Sequence, residues 1–438
     1  MKFNQGNSVS KPEALGCGDA PADITASDGK LNTCGSLAGL SESSIVAGRQ
    51  LNCPSCLGDG LEVFYEARRI PVQVCVTMGS RQEALDHPCR DLALGYCRAC
   101  GFITNVLFEE GIVCKGGLYE DQQTFSPFFR NFQIDVTRQL VERYGIRDKD
   151  VVEIGCGKGD FLHELCKAGD NRGLGIDPLS GTNENTNNSR MVRFVADYFG
   201  PDHAKEPCDL LSCRHTLEHI RPVSDFLTLV RSTIGDRPDT LVYFEVPDTM
   251  RVMRERAFWD IYYDHCSYFT SGSFARLFRS RGFDVINLAR RFGEQYLLLF
   301  ARPTRQPTSA VLPQESDFEE MTLEVAAFGN AVSQRVAYWR NLLLDAHRQG
   351  RRIAIWGSGS KCVGFLSTVG MADVIDRVID VNPRRHGRFL PGLGCPISAP
   401  EELIGAPPDV VIVMNPVYQV EIRERLAQMG VTPEILTI

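Results

Sequence analysis

VVEIGCGKGDFL, residues 151–162, runs four strand-like residues into Gly155, Gly157 and Gly159 and then into a helix-like pattern. A glycine-rich turn at a strand's carboxyl end lets a ligand approach the backbone and aims the amides of the next helix at it. The dinucleotide fingerprint G-x-G-x-x-G is not met, because Asp160 stands where its third glycine belongs. On either side of this turn, short apolar runs alternate with helical periodicity. "GLGID", "VRFVADY", "DLLSCRH" and "LVYFEVP" read as strands, and "GDFLHELCKAG" and "VSDFLTLVRSTIG" as the helices between. "FDVINLARRF" and "QYLLLFARP" follow closely enough to form an antiparallel pair. The pattern predicts an α/β, doubly wound, mostly parallel sheet.

At 438 residues and 43% hydrophobic content, the chain is long enough for two or three cored domains. Acidic residues (55) outnumber Lys and Arg (47), and the net charge of -8 argues against a nucleic-acid partner. No run approaches the roughly 18–20 apolar residues of a membrane span, and the N-terminus lacks the charged-then-apolar pattern of a secretory signal, so a cytoplasmic location is expected. The sixteen cysteines are scattered, several inside expected strands, as buried thiols would be.

Residues 1–48 are rich in Ser, Gly, Asp, Asn and Ala and cannot bury enough surface to offset chain entropy, so they are expected to be disordered, with Cys17 and Cys34 as thiols without a role. Residues 49–116 carry two C-x-x-C pairs, with strand-like alternation between them in "VQVCVTM". Residues 117–303 hold the strand and helix alternation, entered through the helical "SPFFRNFQIDVTRQLVERYG". Residues 304–316 are a Pro/Ser/Thr linker, and 317–438 begin with a long amphipathic helix that leads to a second α/β unit with strands in "RIAIWG", "VIDRVIDVN" and "DVVIVMN".

Two features of the first glycine turn point to S-adenosylmethionine. Glu153 ends the first strand, and Asp177 closes the next. This cofactor carries an ammonium and a sulfonium but no phosphate, so acceptors suit it better than a phosphate cradle. Asp177 is placed to accept both ribose hydroxyls, and Asp197, after the third strand, to accept from the adenine amino group. The arrangement resembles the class I methyltransferases, with "EIGCGKG" as their first motif.

The fourth strand runs into "CRHTLEHI", residues 213–220, where strand ends line the ligand crevice. His215 and His219 are four apart and Glu218 adjoins His219, but the H-E-x-x-H order of a metalloprotease is absent. His215 is expected beside the cofactor and His219 as a structural residue at a helix end. "FWDIYYDHCSYFT", residues 258–270, follows the fifth strand and overhangs the transferable methyl. There the His265 imidazole has a reference pKa, near 6.5, suited to removing a substrate proton. Asp264 would fix or raise that pKa, and Tyr262 and Tyr263 could donate hydrogen bonds to a developing enolate or alkoxide.

Cys53-x-x-Cys56 and Cys97-x-x-Cys100 are each a knuckle offering two thiolates, and together they predict a structural zinc with no open coordination position. The 40 residues between the pairs exceed the usual finger spacing. In the C-terminal "AIWGSGSKCVGFL", Cys362 replaces the third glycine of a dinucleotide turn. The unit either receives a phosphate, with Lys361 as point charge, or only closes over the substrate.

Together these segments, from about residue 51 to 438, resemble the three-domain sugar C-methyltransferases of deoxysugar and natural-product pathways. The resemblance implies a small zinc-binding N-terminal domain, a Rossmann-like methyltransferase core and a second Rossmann-like C-terminal domain. The C-terminal "IDVNPRRHGRFLPG" looks like that family's D-x-N-P segment. Its Tyr-His-Glu-His loop is matched at Tyr262 and His265, conservatively changed at Asp264, and replaced at Tyr263. "LYEDQQTFSPFF" resembles the family's tyrosine-rich segment and makes Tyr119 a candidate for the substrate wall. The implied reaction is C-methylation of a small molecule, a nucleotide-linked keto sugar or related intermediate. O- or N-methylation of a small natural product or glycoside, and a zinc-bearing nucleic-acid methyltransferase, are the rival readings.

Overall fold

The computed structural model describes residues 51–112, 119–180, 191–306 and 310–438. The segment expected to be disordered, 1–48, and with it Cys17 and Cys34, lies outside the described residues.

The chain enters through β1 (Leu61–Pro71), the short helix α1 (Arg81–Leu85), β2 (Cys89–Cys97) and β3 (Ile103–Asn105), paired antiparallel in order. The ladder therefore lies on either side of "VQVCVTM" instead of in it. Residues of that segment find single backbone partners far away: Val76 bridges Tyr119, and Met78 bridges Phe389. Its alternation reflects insertion between distant parts of the molecule, with Gln73, Val74, Val76 and Thr77 all buried.

Helix α2 (Pro127–Glu142) starts where Ser126 accepts from the Phe129 amide and Pro127 fills the first turn, where no backbone donor is needed. The alternation read from the sequence then appears as β4 (Asp150–Ile154), α3 (Asp160–Gly169), β5 (Arg172–Ile176), β6 (Val192–Val195), β7 (Leu210–Arg214), α4 (Val223–Ile234) and β8 (Leu241–Pro247). After β8 come α5 (Thr249–Glu255), β9 (Ser267–Tyr268), α6 (Ser271–Ser280), and the hairpin of β10 (Phe283–Arg291) and β11 (Tyr296–Pro303). The seven-stranded sheet has the order β10-β11-β8-β7-β4-β5-β6, parallel except for the hairpin. Its centre is buried on both faces, which is why "VVEI" and "LVYFEV" are near-continuous apolar runs.

Strand β9 does not join this sheet. It pairs with β3, Ile103 opposite Tyr268 and Thr104 opposite Ser267, so the N-terminal sheet is completed by two residues from far along the chain.

Helix α7 (Phe318–Arg348) buries Met321, Val325, Phe328, Val332, Val336, Trp339 and Leu343, a stripe at spacings of three and four. It leads to β12 (Ile353–Trp356), α8 (Ser360–Val369), β13 (Arg377–Ile379), β14 (Ile397–Ser398), α9 (Glu402–Gly405), β15 (Val410–Val413), α10 (Gln419–Gln428) and β16 (Glu434–Thr437). These five strands form a parallel sheet in the order β14-β13-β12-β15-β16. One apolar cluster joins Tyr65 and Leu94 of the first sheet, Phe258 and Tyr262 after β8, Phe328 and Trp339 of α7, and Phe365 of α8. The three units share this core, and residues 258–266 run through it.

Candidate active site

The carboxyl ends of β4, β5, β7 and β8 open on a cavity of about 1390 Å³, whose walls also include Gln73 and Cys75 from the first unit and Ser360 and Lys361 from the last. Small-molecule sites usually occupy roughly 300–1,000 Å³, so this space suits two ligands side by side.

The turn after β4 is held open by sterics. Gly155, Gly157 and Gly159 all have positive φ, at 67°, 53° and 79°. A Cβ on Gly155 would lie 2.0 Å from Thr216 Oγ1, and one on Gly159 would lie 2.5 Å from the Phe194 ring. Asp177 Oδ2 accepts from the Gly157 amide at 3.1 Å and its Oδ1 from Leu179 at 2.8 Å, fixing the carboxylate against the turn. Glu153 is buried and its Oε2 has no partner. Burial pushes its carboxyl up to about 8, against the pull of Arg214. An orphaned acceptor at this wall is what an ammonium-bearing ligand would satisfy, and with the open glycine turn it fits S-adenosylmethionine. Asp197 is exposed on the same wall.

His215, at φ 47°, donates through Nε2 to Glu245 at 2.8 Å, and its Nδ1 lies 3.5 Å from Glu218. Burial disfavours its cation, but the two carboxylates outweigh burial and raise it to about 9. Glu245 also holds Arg214 at 3.0 Å, and Arg214 and His215 bring its carboxyl down to about 2 in spite of burial. Neither the sequence motifs nor the strand pattern singled out Glu245. It sits in mid-strand, where an isolated Glu in "LVYFEVP" is the only signal.

Residues 262–265 diverge in their placement. Tyr262, Asp264 and His265 line the cavity. Tyr263 turns away: its hydroxyl donates to the Leu107 carbonyl at 3.2 Å, accepts from the Glu109 amide at 3.1 Å, and the side chain is fully buried. The expectation that it faces the substrate is corrected by this packing. Tyr262 donates to Asp260 Oδ1 at 2.8 Å, and Asp260 also pairs with Lys361 and Arg251. Burial lowers Lys361 to about 8, resisted by Asp260. Asp264 has an unpartnered Oδ1, and burial raises it to about 6. Burial, reinforced by His219, lowers His265 to about 3, so its ring is neutral at pH 7. His219 does end a single helical turn, Leu217–His219, as expected, but its ring is also on the cavity wall, 4.8 Å from that of His265.

Tyr119 lines the cavity beside Cys75. Next to it, Glu120 joins the glycine turn to the C-terminal unit, accepting from Lys158 at 2.5 Å and from Asn382 at 3.1 Å. In the C-terminal turn, the amide and hydroxyl of Ser358 donate to Asp380 at 2.9 and 2.5 Å.

Cys53, Cys56, Cys97 and Cys100 converge away from this cavity. The Cys53–Cys100 and Cys56–Cys97 sulfurs are 3.6 and 3.7 Å apart. Zinc–sulfur bonds of about 2.3 Å in a tetrahedron put sulfurs roughly 3.8 Å apart, so the four thiols fit zinc despite their long sequence separation.

Comparison with known proteins agrees with this geometry. Residues 129–288 match a methyltransferase domain family, and residues 299–432 match a C-methyltransferase C-terminal domain family. The C-methyltransferase NovU of Streptomyces niveus is 28% identical over 299 residues, covering 64% of this chain and 70% of that protein. Among solved structures, the Burkholderia thailandensis 1,6-didemethyltoxoflavin-N1-methyltransferase aligns with 41% of this chain and 81% of its own at 18% identity and TM-score 0.30. RosA of Streptomyces davawensis, an N,N-8-amino-8-demethyl-D-riboflavin dimethyltransferase, aligns with 40% of this chain and 55% of its own at 17% and 0.32. The last two likenesses are too slight to bear on activity.

Proposed function

We propose, from the premise that this chain is an S-adenosylmethionine-dependent C-methyltransferase related to NovU, that its acceptor is a nucleotide-linked keto sugar or a related natural-product intermediate, methylated at the carbon beside its carbonyl. The observation that carries this reading is the placement of His265 with Tyr262 and Asp264 on the cavity wall between the glycine turn and α8.

Bound S-adenosylmethionine supplies a methyl group made electrophilic by its sulfonium. Glu153 would receive its ammonium, the Gly155, Gly157 and Gly159 turn its backbone, Asp177 its ribose hydroxyls, and Asp197 its adenine amino group. His215, as a cation, keeps Glu245 and Glu218 ordered beside them. His265 takes the acidic proton next to the acceptor's carbonyl, and Glu218, with a carboxylate oxygen within 4.8 Å of a ring nitrogen of His265, would steady the imidazolium that forms. Because Arg251 and Lys361 also pair with Asp260, the Tyr262 hydroxyl would exchange its bond to that carboxylate for one to the enolate oxygen without leaving Asp260 unpaired. Tyr119 walls the acceptor, and its diphosphate lies against the first turn of α8 with Lys361. The four cysteines hold a structural zinc that takes no part in proton transfer, since sulfur fills every position.

Incubation with methyl-labelled cofactor and a panel of keto-sugar nucleotides tests the reading. Label in a new carbon–carbon bond on one of them is the expected result. Label found on oxygen or nitrogen with the true acceptor would contradict it.

A further inference from the structure

One group of side chains in the cavity has a chemistry beyond proton transfer. Glu218, His219 and His265 each offer a ligand atom, and these atoms all lie within 4.8 Å of one another. Bonds of about 2.0–2.2 Å from a metal to nitrogen or oxygen place neighbouring ligand atoms roughly 3–4 Å apart, so small rotations of the two half-buried rings would close the shell. Two imidazoles and a carboxylate, with the remaining positions open, form a set that takes first-row divalent metals.

Two further observations point to a ligand at this place. Glu218 is buried to 2% exposure, its Oε1 faces His215, and its Oε2 has no partner. His219 donates its Nδ1–H to the Asp264 carbonyl at 2.9 Å, which fixes the tautomer and leaves the Nε2 lone pair free. A backbone carbonyl on the far nitrogen is the support that metal-bound histidines characteristically have.

We propose that Glu218, His219 and His265 form a binding site for a first-row divalent transition metal, separate from the four-cysteine cluster. The bound ion would draw on the His265 lone pair. Resting on the reading of His265 as the base, the consequence is that the metal-loaded protein is the inactive form.

Cobalt(II) tests this directly. The full-length protein, with its cysteine site already filled by zinc, is titrated with Co²⁺ and followed by visible absorption, alongside calorimetric binding of S-adenosylhomocysteine as a measure of intact fold. One equivalent of Co²⁺ should give ligand-field bands without the strong thiolate charge-transfer band. Glu218→Gln, His219→Ala and His265→Ala should each weaken binding at least tenfold while S-adenosylhomocysteine still binds. No Co²⁺ uptake, or uptake unchanged in all three variants, would overturn the site. Full turnover by the Co²⁺-loaded protein would sink the base assignment and leave the metal site standing.

Discussion

Thr104 donates its hydroxyl to the carbonyl of Cys266 at 2.7 Å, one residue beyond His265. Thr104 belongs to β3, which begins three residues after Cys100, and β3 takes β9 as its outer partner. The Asn105 side chain adds a bond to the Tyr263 carbonyl at 3.3 Å. The cysteine cluster therefore supports the very strand that sets the height of the His265 loop.

Removing the ion should thus act at a distance. Metal analysis should find one zinc per chain, and chelation should abolish methyl transfer together with protection of residues 262–268 from hydrogen exchange, both restored by a single equivalent of Zn²⁺, which the four thiolates take first. Full turnover by stripped protein would separate the two sites.

From the other side the loop is pressed by α8. A Cβ on Gly364 would lie 2.8 Å from the Trp259 carbonyl and 3.2 Å from the Tyr262 ring. Gly364→Ala should cost about 1–3 kcal/mol in denaturant unfolding, and should lower kcat far more than cofactor affinity because the loop must move.

Asp260 is a half-buried junction of the core and the C-terminal unit, shared by Arg251, Lys361 and Tyr262. Asp260→Asn leaves the half-buried Lys361 without its counter-charge, while Arg251 keeps Glu255, and should destabilise by about 1–3 kcal/mol. Lys361 should also become a weaker base than its present value of about 8, because Asp260 is what holds it up. Chemical labelling of Lys361 as a function of pH reads this shift.

Glu153 gives a pH dependence with a definite sign. In the ligand-free protein its carboxyl is raised to about 8, so across pH 4.5–8 the folded state holds a proton that the unfolded chain has lost. Stability from this group is complete below the lower limit and falls as pH rises to about 8. Pairing with the cofactor's ammonium requires the ionised form, so binding at pH 7 should release a proton. Affinity should rise up to tenfold per pH unit until the ligand's own ammonium titrates near 8. Calorimetry in buffers of different ionisation enthalpy should show the release, and Glu153→Gln should remove it.

The sheet was legible because β4, β7 and β8 are buried on both faces and write their apolar runs into the sequence, and because three glycines at positive φ leave few alternatives for "GCGKG". The cysteine pairs were legible as knuckles even at an unusual spacing. Strand β9 was not, since two residues, Ser267 and Tyr268, pairing with Thr104 and Ile103 of β3 from far along the chain carry no local period. Tyr262 and Tyr263 show the same limit: adjacent side chains take opposite directions, and only the Phe108 and Leu107 neighbourhood decides which hydroxyl is withdrawn. Glu245, Asp260 and Glu120 matter through partners brought together by tertiary packing, and a solitary acid within a strand or loop does not announce them.

Proton removal by His265 can be observed apart from methyl transfer, by following deuterium exchange from heavy water into the carbon beside the acceptor's carbonyl with S-adenosylhomocysteine bound. The native protein should exchange that position, and His265→Ala should lose about 100-fold or more while binding S-adenosylhomocysteine normally. Exchange by the variant at the native rate would contradict the assignment of His265 as the base.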